Sequence, residues 1–320
     1  MRPAAPMPRG ADNALRIVSP ECGMQRGMPS DRIATGSLAV GRQEKPVATQ
    51  ARSVQPASMN DDPEAGAAPR PVILPPRTPW RPAFPQVIVH AEIALRDHHP
   101  SYKAAKGGDS EAALALAEDL LSQQAVDALA DIVAGRPAIL LPISAIETTG
   151  FNAIPDAMAQ VIGASLGLAV SSGEIVQNNR VGHTRAPAFN RLVTPAAFEG
   201  DVVDGGSYVL VDDHVGVGGT LANLKGHIEI SGGLVIAMTT LTESRDARQI
   251  ALRPETLNLL REKHGQPLET FWQEQFGHRL ECLTDLEGQI VGREPSLDAI
   301  RSRLAQAAVE ARGRGLNPAV

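Results

Sequence analysis

Tyr208-Val-Leu-Val-Asp-Asp-His-Val-Gly-Val-Gly-Gly-Thr220 sets an apolar run directly before two adjacent acids, a glycine-rich turn and a hydroxyl residue that opens a helix. Tyr208, Val209, Leu210 and Val211 have the two-sided, β-branched hydrophobicity of a strand buried inside a parallel sheet. Asp212 and Asp213 are then expected at the carboxyl end of that strand, the edge of an open α/β sheet where ligands collect. The backbone amides of Val215, Gly216, Val217, Gly218, Gly219 and Thr220 feed a helix N-terminus, a ready cradle for phosphate. Carboxylates repel phosphate unless they face another part of the same ligand. A ribose 5-phosphate reconciles the two, because its hydroxyls donate to Asp212 and Asp213 while the helix dipole favours its phosphate at the turn.

Two other glycine motifs fail on inspection. A nucleoside-triphosphate loop needs Gly-Lys followed by a hydroxyl, and no lysine follows Gly218 or Gly219. The dinucleotide pattern fits Gly216 and Gly218 but meets Leu221 where its third glycine belongs, and its acid should follow the glycines by about twenty residues rather than precede them.

Outward from the motif, strands alternate with helices. The spacing predicts a helix over residues 111–134 capped by Asp109 or Ser110, a short buried strand over 138–142, a helix over 152–167, and strands over 168–170 and 174–177. A long polar segment, 178–206, leads into the motif strand, followed by a helix over 219–230, a Gly232-Gly233 stop and a strand over 234–239. This order specifies an α/β fold with a doubly wound parallel sheet. Beyond residue 240 come only helical pieces, over 254–264, 267–276, 284–291 and 296–311, which read as a cap.

The motif resembles the ribose-phosphate signature of type I phosphoribosyltransferases: strand, Asp-Asp, then a Gly/Thr-rich turn into a helix, over about thirteen residues. The resemblance implies a sheet of the phosphoribosyltransferase type with a helical hood, supplied by residues 86–134 or by the C-terminal region. It implies phosphoribosyl pyrophosphate (PRPP) and Mg2+ as ligands and transfer of ribose 5-phosphate to or from a nitrogenous base or amine. Asp212 and Asp213 are its candidate catalytic residues and 215–220 its 5-phosphate loop. Ser144, Ala145 and Ile146, after the first core strand, hold the position of its pyrophosphate loop, with Glu147 near the metal and no residue assigned as a direct ligand. Arg180, His183, Arg185 and Arg191 fall where the family has a mobile basic loop that would stabilise charge on the leaving pyrophosphate. The family carries two threonines where this chain has Gly216 and Val217; each lost charge-assisted bond would weaken affinity by about 1.5–3 kcal/mol. Those losses, with a long basic tail, motivate a second reading, a non-catalytic PRPP- or nucleotide-sensing regulatory module; a third is a nucleotide hydrolase that uses the same cradle. Whether the paired acids hold sugar or act as a general base stays open.

Other groups read as structural. His98 and His99 are adjacent and would point apart on a helix; a phosphate contact from Lys103 or Lys106 is one reading, and a charged helix start packing Tyr102 on the sheet is the better one. His278 with Phe271, Trp272 and Phe276 reads as core of the C-terminal region.

Residues 1–85 hold 15 of the 25 prolines and a net charge of +4, leaving −10 on the remainder. That segment is expected to be a disordered Pro-rich basic tail, with the domain proper over 86–320, its core over about 136–245 and its helical region over 246–320. The acidic folded part argues against nucleic acid as a main partner. No run of eighteen apolar residues and no secretory signal appears, so a cytoplasmic protein without a membrane partner is expected, with a second copy of the chain as a candidate partner. Cys22 and Cys282 build neither a disulfide framework nor a zinc site.

Overall fold

The computed structural model describes residues 74–143, 146–147, 150–179, 181 and 187–319. Its centre is a five-stranded sheet, parallel throughout, in the order β1 (Ile88–Val89), β9 (Leu234–Glu243), β8 (Ser207–Val215), β2 (Ile139–Pro142) and β5 (Ala169–Val170). Side chains alternate across β8 as a two-sided strand requires. Val209 and Val211 enter one core with α3 (Ser110–Leu120), α4 (Gln123–Val133) and α5 (Ile154–Leu166). Tyr208 and Leu210 enter the other with Leu221, Leu224 and Ile228 of α7 (Gly219–Ile230). Burial is worth about 1.5–3 kcal/mol for each large apolar side chain, so the sheet is held from both faces. The α/β doubly wound class expected from the sequence is the one the chain adopts.

The motif strand runs further than its apolar residues suggest. It continues to Val215 because β9 extends beside it, pairing Asp212 with Thr240 and His214 with Thr242. The acids therefore sit within the last residues of β8 rather than beyond it. The segment over 174–177 does form a strand, β6 (Ile175–Gln177), but it leaves the main sheet and pairs antiparallel with β7 (Phe198–Gly200). β3 (Ile146–Glu147) and β4 (Gly150–Phe151) form a small ribbon after β2.

The helix expected over 111–134 is two helices, broken at Leu121 and Ser122, both in extended conformation. Leu121 is buried, and the Ser122 N–H donates to His90 Nδ1 at 3.2 Å. His90 Nε2 in turn faces Thr239 Oγ1 at 2.9 Å, and that hydroxyl donates to the Ile88 carbonyl, so Nε2 carries the proton. Burial pulls the His90 pKa down to about 4. Its folded value lies below its unfolded one, so the stabilisation is present above about pH 6.5 and is lost as pH falls toward 4, by up to about 3 kcal/mol. Urea unfolding at pH 7 and pH 4.5 is expected to show a smaller acid loss in His90→Gln than in the parent; equal losses would contradict this role.

Residues 74–85, expected to belong to the tail, are laid along the folded body. Arg77 pairs with Glu287, Trp80 Nε1 donates to the Leu283 carbonyl at 2.6 Å, and the Lys225 ammonium lies 5.0 Å from the Trp80 ring centroid. Phe84 and Val87 join the core on the α7 face. Prolines do not prevent such packing; they fix an extended path and lower the entropy lost in following it.

The C-terminal region is helical, as expected, with α8 (Pro254–Phe276), α9 (Asp285–Arg293) and α10 (Leu297–Gly313). Gly265, with φ 61° and ψ −163°, interrupts α8 just before Pro267, so it behaves as the two helices read from the sequence. Trp272, Phe276, Leu260, Ile300 and Leu304 form a separate core, joined by Leu192 and Val193 of α6 (Ala188–Val193). Among the described residues no helix is long and apolar enough to cross a membrane.

Candidate functional site

The pairing of β8 with β9 carries Asp212 and Asp213 to the carboxyl edge of the sheet. The Asp212 Oδ1 accepts the Asp213 N–H at 2.8 Å. Burial, reinforced by the neighbouring Asp213 charge, pushes the Asp212 carboxyl well above the usual range. Burial also pushes Asp213 upward, but the Lys106 ammonium, bonded to its Oδ2 at 2.7 Å, outweighs this with help from His214 and Arg96 and holds it below that range. The two acids therefore differ: one favours its proton and the other stays an anion. Such divergence within a pair is a usual mark of acid and base roles.

Around them, Thr242 at the end of β9 gathers three contacts. Its hydroxyl donates to the Asp213 carbonyl at 3.3 Å and lies 2.8 Å from Arg96 Nη1 and 2.9 Å from His214 Nδ1. His214 Nε2 is 3.1 Å from Ser244 Oγ. Burial, then the Arg96 charge, lowers the His214 pKa.

The turn Gly216 to Gly218 connects β8 to α7. Gly218 has φ +86°, and a Cβ there would press on Ile250 and Thr284 at 3.1–3.2 Å, so both its conformation and its space require glycine. No side chain caps the N-terminus of α7 and no acid stands in its first turn, while the Glu287 carboxylate, paired with Arg77, lies 2.8 Å from where a Gly219 Cβ would be. The Thr284 hydroxyl donates to the Val217 carbonyl at 2.7 Å, which ties the turn to the start of α9. Thr284 is also the cap of α9, in a reciprocal capping box with Glu287.

Gly216 stands where the resembled family has a threonine, and its bareness has a use. A Cβ at this position would lie 2.7 Å from Arg191 Nη1, so the missing side chain makes room for a guanidinium against the turn. Burial lowers the Arg191 pKa from a value so high that it remains a cation.

Of the residues read from the sequence, the structure thus brings Asp212, Asp213, the six residues from Val215 to Thr220, and Arg191 to one sheet edge. Ser144, Ala145, Arg180, His183 and Arg185 lie outside the described residues, and Ile146 and Glu147 are placed only as the backbone of β3. Trp272 and Phe276 are buried core, as expected, and Lys106 reaches an acid rather than the glycine turn. Sequence reasoning missed Arg96, His214 and Thr242. The run of threonines at 239, 240 and 242 ending a strand was the available signal.

No family model matches the chain. Protein TraN of Escherichia coli is 40% identical over 238 residues, which cover 74% of this chain and 53% of that protein. An uncharacterized protein of Haemophilus influenzae is 39% identical over 152 residues, covering 48% of this chain and 34% of that protein. The chain thus spans about half the length of the first of these curated relatives and a third of the second. Among solved structures, adenine phosphoribosyltransferase from Thermoanaerobacter pseudethanolicus matches at TM-score 0.27 and 18% identity, over 42% of this chain and 70% of that one. A purine phosphoribosyltransferase from Pyrococcus horikoshii matches at TM-score 0.24 and 15% identity, over 38% of this chain and 82% of that one.

Proposed function

We propose that the chain binds a phosphoribosyl compound at residues 212–220 and transfers ribose 5-phosphate between PRPP and a nitrogenous base or amine. The observation that carries this reading is the convergence, at one sheet edge, of two acids with opposed proton affinities, an uncapped helix N-terminus and the Arg191 guanidinium against Gly216. The phosphate lies against the amides of 216–220 with Arg191 in place of the missing hydroxyls. The acids take the sugar oxygens. As the bond from C1 to pyrophosphate breaks, the sugar gains positive charge, and the Asp213 anion offsets it. In its ionised form Asp212, made the stronger base of the two by its burial, accepts the proton that the attacking nitrogen gives up. A divalent ion, where one takes part, enters with the pyrophosphate: among the described residues no three of His, Cys, Asp and Glu gather to hold one.

A second reading, a binding module that senses PRPP or a nucleotide, is favoured by one contact, the Lys106 ammonium already seated on Asp213. Pyrophosphate release from PRPP across a panel of purines, pyrimidines and amines separates the two. Release with any acceptor, abolished by Asp212→Asn, supports transfer. Binding without release supports sensing, and absence of both rejects the site.

A further inference from the structure

Lys106 ends α2 (Tyr102–Lys106), 107 residues before the acid it meets. Its ammonium and the Asp213 carboxylate are 2.7 Å apart, with side chains 25% and 11% exposed, so the pair is neither a surface contact nor a closed core bridge. A second cation stands behind it. Arg96 of α1 (Ile93–His98) lies 4.9 Å from the Tyr102 ring centroid and bonds Thr242, whose hydroxyl holds the Asp213 carbonyl. Asp213 therefore faces fixed positive charge where a divalent ion would have to sit to link it with sugar hydroxyls. Mg2+ demands an octahedral shell of oxygens at about 2.0–2.1 Å, which an ammonium bonded to the same carboxylate obstructs by volume and by charge.

We propose that Lys106 is the resident cation of this site, so that the chain holds a sugar phosphate with no divalent ion on Asp213. The inference rests on the ribose-phosphate reading above. An ammonium carries three donors in a compact head, which neutralises the acid and directs positive charge toward the oxygens of the bound sugar.

Ribose 5-phosphate is the suitable probe, since it has no pyrophosphate to bring a metal of its own. Calorimetric titration of the full chain is expected to give the same affinity in EDTA as in Mg2+. Lys106→Met is expected to lose about tenfold or more in EDTA and to recover in Mg2+, the ion filling the vacated place. Titration with Mn2+ alone, followed by water-proton relaxation, should show an ion bound to Lys106→Met that the parent does not bind. Parent binding that requires Mg2+ overturns this inference while leaving the sugar-phosphate site standing. Equal behaviour of Lys106→Met and parent in both buffers also overturns it. Absence of binding in either buffer, with folded protein by circular dichroism, overturns both the inference and the site. Should Lys106→Met not fold, the parent's two-buffer comparison and Mn2+ titration still decide.

Discussion

Glu287→Ala is expected to lower the free energy of unfolding by about 3–5 kcal/mol, because it strands the buried Arg77 guanidinium without its counter-charge. The carboxylate takes Arg77 Nη1 at 2.5 Å and Nη2 at 2.8 Å, and it is 2% exposed. Burial alone would raise its pKa; the Arg77 charge and hydrogen bonds prevail and hold it below the usual range. The same side chain accepts the Thr284 N–H at 2.9 Å, so its loss also opens the capping box of α9. Urea unfolding followed by circular dichroism gives the number. Arg77→Met in the same chain should return part of the loss, since the double variant leaves no orphaned charge. A single-variant loss below about 1 kcal/mol, the size of an exposed ion pair, would refute the account.

Thr220→Asp should separate folding from binding, because the two respond with opposite sign. Thr220 is half-buried in the first turn of α7, and an acid there is favoured by the helix dipole by about 0.3–1 kcal/mol. The same carboxylate stands against any phosphate at the turn and removes a hydroxyl donor, for an expected loss of about a hundredfold in ribose 5-phosphate affinity. Thermal unfolding and calorimetric titration on one preparation test both halves. Undiminished affinity in a folded variant would place the phosphate elsewhere.

Both experiments bear on what the sequence could and could not announce. The two-sided apolar run at 208–211 and the turn behind it fix the centre of a parallel sheet by local chemistry alone, and the helix stops at Gly167 and Gly277 follow from left-handed backbone that glycine tolerates. The end of β8 was less legible, because Asp212 to Val215 are held in the strand by the length of β9, which lies in another segment. The break at Ser122 depends on His90, 32 residues away. Lys106 reaches Asp213, and Arg96 reaches Thr242, only through the way α1 and α2 are packed, and no spacing within residues 93–106 encodes that. Residues 74–85 misled for a compositional reason: proline content reports stiffness, and stiff chain packs well when Arg77, Trp80 and Phe84 find partners.

The Arg77–Glu287 pair joins residues 210 positions apart. Thr284 donates to the Val217 carbonyl and the Glu287 carboxylate lies beside Gly219, so during synthesis the ribosome must release α9, well after the strands of the sheet, before the turn after β8 acquires its support. Domains made vectorially at about 5–20 residues per second can settle their early parts first. Here the sheet and its two aspartates can form while α8 to α10 are still being translated, and a product stopped short of α9 would display the acids beside an unbraced loop. The support of the turn after β8 is thus gained only once α9 has been made.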